Sequence, residues 1–184
     1  ALSGTPTCWD DLDTKLGGLH PSDLIILAGR PAMGKSALAT TIAFNAAKYF
    51  QTTDNEEESG KLVAFFSLEM SSEQLATRIL AERARVNSHD IRTGRLANED
   101  FGKLVAASQE LYSAPLFMDD TPAITISAMR TRCRRLARQA RSDKHNGLGL
   151  IVVDYLQLLD PGRMNRQDNR VQEISAISRG LKAL

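Results

Sequence analysis

With 184 residues, 42% of them hydrophobic and 24% charged, and a formal net charge of +1, the chain suits one well-filled domain and is too short for two ordinary ones. A balance this close to zero neither requires nor excludes nucleic acid, because a small basic surface can hide inside a balanced sum. Cys8 and Cys133, with no C-x-x-C and no Cys/His cluster, exclude a disulfide framework or a zinc site and favour reduced thiols, and no apolar stretch approaches the ~20 residues that span a bilayer. A soluble, cytoplasmic protein with no membrane contact is therefore expected.

The segment Ala1 to Pro21 mixes turn formers with Trp9, Leu12, Leu16 and Leu19 and reads as an irregular lead-in or short helix packing beside the next feature, with Trp9 in the core. The apolar run Leu24 to Ala28 then reads as a buried strand. It leads into Gly29 to Ser36, G-R-P-A-M-G-K-S, which fits the phosphate-loop pattern G-x-x-x-x-G-K-[ST] at every position and is followed by the helix-compatible stretch Ala37 to Tyr49. Strand, loop and helix in that order are the context the pattern needs. Glycine at positions 29 and 34 permits torsions and close approach that let successive N–H groups curl around phosphate oxygens, at a helix N-terminus that already favours anions. The binding set is Gly29, Arg30, Pro31, Ala32, Met33, Gly34, Lys35, Ser36 and Ala37, with Lys35 on the β and γ phosphates of ATP or another NTP and the Ser36 hydroxyl on Mg²⁺.

Beyond the helix, Gln51 to Gly60, with Glu56, Glu57 and Glu58, reads as a solvated, mobile loop. Leu62 to Ser67 is apolar on consecutive positions, as in a strand covered on both faces, and runs into Leu68-Glu69-Met70. Ser71 or Ser72 caps a helix containing Leu75, Ile79 and Leu80. After a turn at Arg92 to Arg95, Asn98 is the candidate cap of a helix presenting Phe101, Leu104, Val105, Ser108 and Leu111 on one face, stopped by Pro115. Leu116 to Met118 is a short strand ending at Asp119-Asp120. Ile126 to Arg141 is a basic helix with the stripe Met129, Cys133, Leu136, Ala137 and Ala140; its arginines suit a solvated outer face or phosphate contacts. Leu150 to Val153 is the strongest buried strand and ends in Asp154. A polar loop, Gly162 to Arg170, precedes helical spacing at Val171, Ile174, Ile177, Leu181 and Leu184. The last helix has no Gly or Pro stop, so a truncated domain is expected.

Alternating strands and helices with continuous apolar strand runs predict an α/β fold, a mostly parallel sheet with helices on both faces. Ligands of such sheets sit beyond the carboxyl ends of the strands, where the sequence delivers Glu69, Asp119, Asp120 and Asp154. Nucleotide hydrolysis needs one carboxylate for Mg²⁺ and one to orient and deprotonate water. Asp154, anchored by its apolar run, suits the first task and Glu69, with its longer reach, the second; Asp119 and Asp120 are rivals for either.

G-R-P-A-M-G-K-S, F-S-L-E-M-S and L-I-V-V-D-Y-L-Q-L, with D-D-T-P at Asp119 to Pro122 and R-R-L-A at Arg134 to Ala137, together resemble the ATPase domain of bacterial replicative DNA helicases of the DnaB type. The resemblance runs nearly the whole length, so residues 1–184 are expected to form a single, partial RecA-like P-loop NTPase domain. It implies a homohexameric ring that hydrolyses NTP at subunit interfaces and moves on single-stranded DNA, with primase and a helicase loader as partners. Carried to matching positions, it implies Lys35 for phosphates, Ser36 and Asp154 for Mg²⁺ and Glu69 for water, with Gln157 nearby. It also implies Arg163, Arg166 and Arg170 as DNA contacts, and lowers the standing of Asp119 and Asp120. The glutamate loop is more acidic than the family pattern, and the family's γ-phosphate sensor, main DNA loop and arginine finger are expected beyond Leu184, its N-terminal helical domain before Ala1. An absent finger can be worth ~10³ to 10⁵ in rate, so the chain as given is expected to bind nucleotide better than it hydrolyses it. The other readings are a strand-exchange or clock-type RecA-like ATPase, against which S-L-E-M argues, a binding and assembly module without turnover, and a small-molecule kinase, for which no arginine lid is seen.

Overall fold

The structure, a computed structural model, describes residues 2–142, 146–155 and 170–182. In chain order these form α1 (Asp10–Leu16), α2 (Lys35–Thr52), β1 (Leu62–Ser67), α3 (Ser72–Ala84), α4 (Ser88–Thr93), α5 (Asn98–Ser113), β2 (Leu116–Asp119), α6 (Ile126–Ser142), β3 (Leu148–Asp154) and α7 (Arg170–Lys182). The strands make one parallel sheet in the order β2-β1-β3, with Phe65 opposite Met118 on one side and Val152 on the other.

Strand β1 is apolar from Leu62 to Phe66 because both of its faces are covered, as its hydrophobic run predicts. Val63 and Phe65 point to one side, where they meet Ala43, Ala46, Ala47 and Phe50 of α2 and Leu75 of α3. Ala64 and Phe66 point to the other, against Met129 and Cys133 of α6 and Ile177 of α7. Each fully buried Phe or Val side chain contributes about 1.5–3 kcal/mol, so the two clusters hold helices to both faces of a three-stranded sheet.

Helix α2 packs lengthwise along β1 and β3 through Ala39, Ala43, Ala46 and Phe50, and the position of its last turn sets it antiparallel to them. A Cβ on Gly149 would lie 2.4 Å from the Phe50 ring, so the C-terminal end of α2 sits directly on the start of β3. About fifteen residues of helix, roughly 22 Å, then carry its N-terminus to the level of the strands' carboxyl ends.

Several expectations change. Leu24 to Ala28 forms no helix and joins no strand among the described residues, and Ile26 is 65% exposed. An apolar run becomes a strand only where it makes ladder hydrogen bonds to an edge, and this segment makes none to the outer edges of β2 and β3. Helix α5 buries Ala107 and half-buries Leu104 and Leu111 toward α3, while Phe101, Val105 and Ser108 face outward, so the predicted face was rotated by about a residue. Its cap position is Ala97 with no side-chain bond, not Asn98. A short helix, α4, capped by Asn87 and ended by Gly94, precedes the predicted turn.

Trp9 is 49% exposed rather than core. The lead-in folds on itself: Asp13 accepts hydrogen bonds from Thr7 N (2.8 Å), Thr7 Oγ1 (2.7 Å) and Cys8 N (3.1 Å). It docks on α2 through Asn45 Nδ2, which donates to Thr7 O at 3.1 Å. The glutamate loop is not simply solvated. Glu58 accepts from Tyr49 OH (2.7 Å) and Thr5 Oγ1 (3.1 Å) and so joins the end of α2 to the lead-in. That bond to Glu58, foremost, pushes the Tyr49 phenol up from its ordinary value.

Candidate active site

The loop Gly29 to Gly34 is exposed and closes onto α2. Gly34 is the N-cap with φ 80°, ψ 17°, a left-handed conformation that glycine adopts without cost. Ala32 also takes positive φ, 61°, a strained choice of the kind that gathers at functional loops. Lys35 Nζ donates to Gly29 O and Arg30 O, both at 2.9 Å, so the ammonium is drawn back across the loop mouth. The exposed loop therefore presents a cation, a helix N-terminus and a curled backbone together. Thr40 Oγ1 holds Ser36 O at 2.6 Å, which fixes the first turn that carries the Ser36 hydroxyl.

At the same edge, Ser67 and Asp154 are register partners at the ends of β1 and β3, and Leu68 N continues the pairing by donating to Asp154 O at 2.7 Å. Asp154 is only 6% exposed, and its Oδ2 is buried without a hydrogen-bond partner among the described residues. A buried carboxylate oxygen left unpaired is costly, and a cation is the natural relief. Glu69 stands two residues beyond Ser67, exposed, on the turn between β1 and α3. Neighbouring strands lie about 4.8 Å apart, so the chain brings both carboxylates to one stretch of the edge that the α2 N-terminus also reaches.

The rivals are engaged elsewhere. Asp119 makes a salt bridge with Arg132 Nη1, which also donates to Thr121 Oγ1 at 2.7 Å, and accepts from Thr121 N at 3.0 Å. Burial pushes its pKa up, but the hydrogen bonds from Arg132 and Thr121 outweigh burial and hold the carboxyl below its ordinary value. Asp120 accepts from Ser72 N at 2.8 Å, the first residue of α3, and that bond lowers its pKa too. Sequence reasoning missed these jobs, as it missed Ser67. The available signal was the placing of each polar residue at a strand end, directly before a helix start.

Gln157, Arg163 and Arg166 lie outside the described residues, and Arg170 opens α7 with its side chain outside them. On α6, Arg132 is tied to Asp119, and Arg130 Nε is buried with no partner, whereas Arg134, Arg135, Arg138 and Arg141 line the rest of the helix. Among the described residues no cluster of three or more His, Cys, Asp and Glu could hold a metal, and no helix is long and apolar enough to cross a membrane. A magnesium site needs only one or two carboxylates plus substrate phosphates, so Asp154 with Ser36 fits one. An open cleft of about 680 Å³ lies at the other edge, by the strand starts Leu62 and Leu116, and contains none of these residues.

Residues 4–184 match the model of the DnaB-like helicase C terminal domain. This chain belongs to that family. Similar curated proteins include the replicative DNA helicase DnaB of Rickettsia bellii, 50% identical over 98% of this chain and 35% of its own length, and that of Geobacillus stearothermophilus, 46% identical over 100% and 37%. The chain thus spans little more than a third of the curated relatives it matches. Among solved structures, one described as an ATPase domain superposes with a TM-score of 0.83 at 28% identity, covering 99% of this chain and 59% of that one. A DnaB-like replicative helicase, whose structure was described with its interactions with primase, gives 0.82 at 28% identity over 99% of this chain and 40% of that one. The parallel sheet with helices on both faces is accordingly the RecA-like α/β fold of DnaB-like ATPase domains.

Proposed function

We propose that this domain binds and hydrolyses ATP or another NTP with Mg²⁺, as the motor of a replicative DNA helicase that moves on single-stranded DNA and unwinds duplex. The observation that carries the reading is the buried Oδ2 of Asp154, unpaired among the described residues, beside the turn that bears Glu69 at the carboxyl end of β1. The amides of Gly29 to Gly34 cradle the phosphates, and Lys35 exchanges its two loop carbonyls for phosphate oxygens. Ser36 and Asp154 would hold Mg²⁺, which would supply positive charge to offset that of the nucleotide phosphates. Glu69 orients the attacking water and takes its proton. Arg163, Arg166 and Arg170 contact the DNA backbone. A hexameric ring, a primase, a loader and a cytoplasmic setting follow from the family.

The test is a DNA-stimulated ATPase and strand-displacement assay on the intact polypeptide. Turnover that rises with single-stranded DNA and is coupled to unwinding is expected; DNA-independent turnover without unwinding would overturn the helicase reading.

A further inference from the structure

Glu69 is exposed, and among the described residues it has no ion-pair partner, so its backbone is what aims it. That backbone is held by a side chain. Ser67, 1% exposed, closes β1 with a hydroxyl that donates to Met70 O at 2.7 Å and accepts from Met70 N at 3.2 Å. A four-residue turn is ordinarily closed by a backbone bond between its first and last residues. Here the Ser67 side chain makes both closing bonds, and Leu68 and Glu69 are the residues between.

The turn is anchored on either side. Before it, Leu68 N is bonded to Asp154 O, so the residue preceding Glu69 is tied to the backbone of the proposed magnesium ligand. After it, Ser71 and Gln74 form a capping box, and Asp120 reaches from the end of β2 to Ser72 N. A polar residue at the end of an otherwise apolar strand needs both its donor and its acceptor satisfied when buried, and Ser67 satisfies both on Met70.

We propose that Ser67 is a positioning residue for hydrolysis: its buried hydroxyl clamps the turn 67–70 and sets where the Glu69 carboxylate stands relative to Asp154. This rests on the reading of Glu69 as the group that takes the proton from water. Alanine at position 67 keeps the strand and the burial but opens the turn. A displacement of about 1 Å at a reacting group costs on the order of 100-fold in rate, so Ser67→Ala is expected to lower kcat about 10- to 100-fold. ATP affinity is unaffected, because the phosphate loop is on a separate segment.

The experiment is a steady-state ATPase measurement on the intact polypeptide with single-stranded DNA, for Ser67→Ala, Glu69→Gln and the double variant, with ATP affinity measured by calorimetry for each. The expected result is a lower kcat for Ser67→Ala at unchanged affinity, and a double variant no slower than Glu69→Gln alone, since a clamp has nothing to aim once the carboxylate is gone. Parent-like kcat in Ser67→Ala overturns the proposal, and a parallel loss of ATP affinity overturns it by making Ser67 a general fold residue. A double variant slowed by the full product of the two single effects also overturns it. Retained turnover in Glu69→Gln would instead sink the reading of Glu69, whatever Ser67→Ala does.

Discussion

Replacing Asp154 with asparagine should move stability in opposite directions with and without ligand. The carboxylate is 6% exposed, and among the described residues its Oδ2 has no partner. A buried unsatisfied polar group costs about 1–3 kcal/mol, and more when it is charged. Asparagine leaves a polar atom unsatisfied but removes the charge, so the net relief is about 1–2 kcal/mol. For a domain of this size 1 kcal/mol shifts Tm by about 2–4 °C, so Asp154→Asn should melt about 2–8 °C above the parent in EDTA. Mg·ADP at one hundred times its Kd stabilises the parent by about 2.7 kcal/mol, or roughly 5–11 °C. The variant should lose most of that gain, because its amide cannot replace the anionic ligand. Thermal melts with EDTA, with Mg²⁺ and with Mg·ADP read both effects on one sample. A variant less stable than the parent in EDTA that keeps the full magnesium-dependent shift would refute the reasoning, since Asp154 would then be an ordinary structural acid.

Lys35→Ala removes a charged donor from the loop mouth, and charge-assisted bonds of about 1.5–3 kcal/mol predict about 10- to 100-fold weaker ATP binding by calorimetry; unchanged affinity would count against the phosphate-loop assignment. Glu69→Gln should keep ATP affinity and lose about 10²- to 10⁴-fold in kcat, and retained turnover would remove it from the base role. Asp119 has its folded pKa held below the ordinary 3.8, so its contribution is present above that value and lost as pH falls below about 4 toward the folded pKa; Asp119→Asn should flatten the acid limb of a Tm-against-pH curve there. Burial pushes the Cys133 thiol up to about 11, so maleimide at pH 8 should label exposed Cys8 in the native protein and Cys133 only after unfolding, as read by peptide mapping.

What was legible in the sequence was whatever depends on local pattern. Strand β1 carries its own signature because both its faces are buried, and α6 appeared over nearly its observed span because six arginines and an apolar stripe leave only one amphipathic solution. The left-handed entry into α2 is legible for the same reason: glycine at 34 answers a local torsional demand, φ 80°. The failures share a different origin. Leu24 to Ala28 has a strand's composition, but pairing is a non-local event that composition does not encode, and the segment joins neither outer edge of the sheet among the described residues. The α5 face was misjudged because Phe101, Val105 and Ser108 fit helical spacing as well as Leu104, Ala107 and Leu111 do, and only contact with α3 chooses between them. Glu58 read as solvent-facing because its partners, Thr5 and Tyr49, are separated from it by 53 and 9 residues.

The division of labour among the four acids at the carboxyl edge follows from what each already touches. Asp119 holds Arg132 and Asp120 holds the start of α3, and both have their carboxyls lowered by those contacts. A carboxylate satisfied in this way is a poor general base, because any proton transfer to it must first break the bond that stabilises its charge. Asp154 and Glu69 are different from these and from each other: one is buried with an oxygen unpaired, the other exposed on a clamped turn. On the proposed reading, desolvation suits the first to a cation and access to water suits the second to act on water. The sequence delivers all four toward the carboxyl ends of the strands; hydrogen bonding, not spacing, separates the two engaged in holding the fold from the two proposed for chemistry.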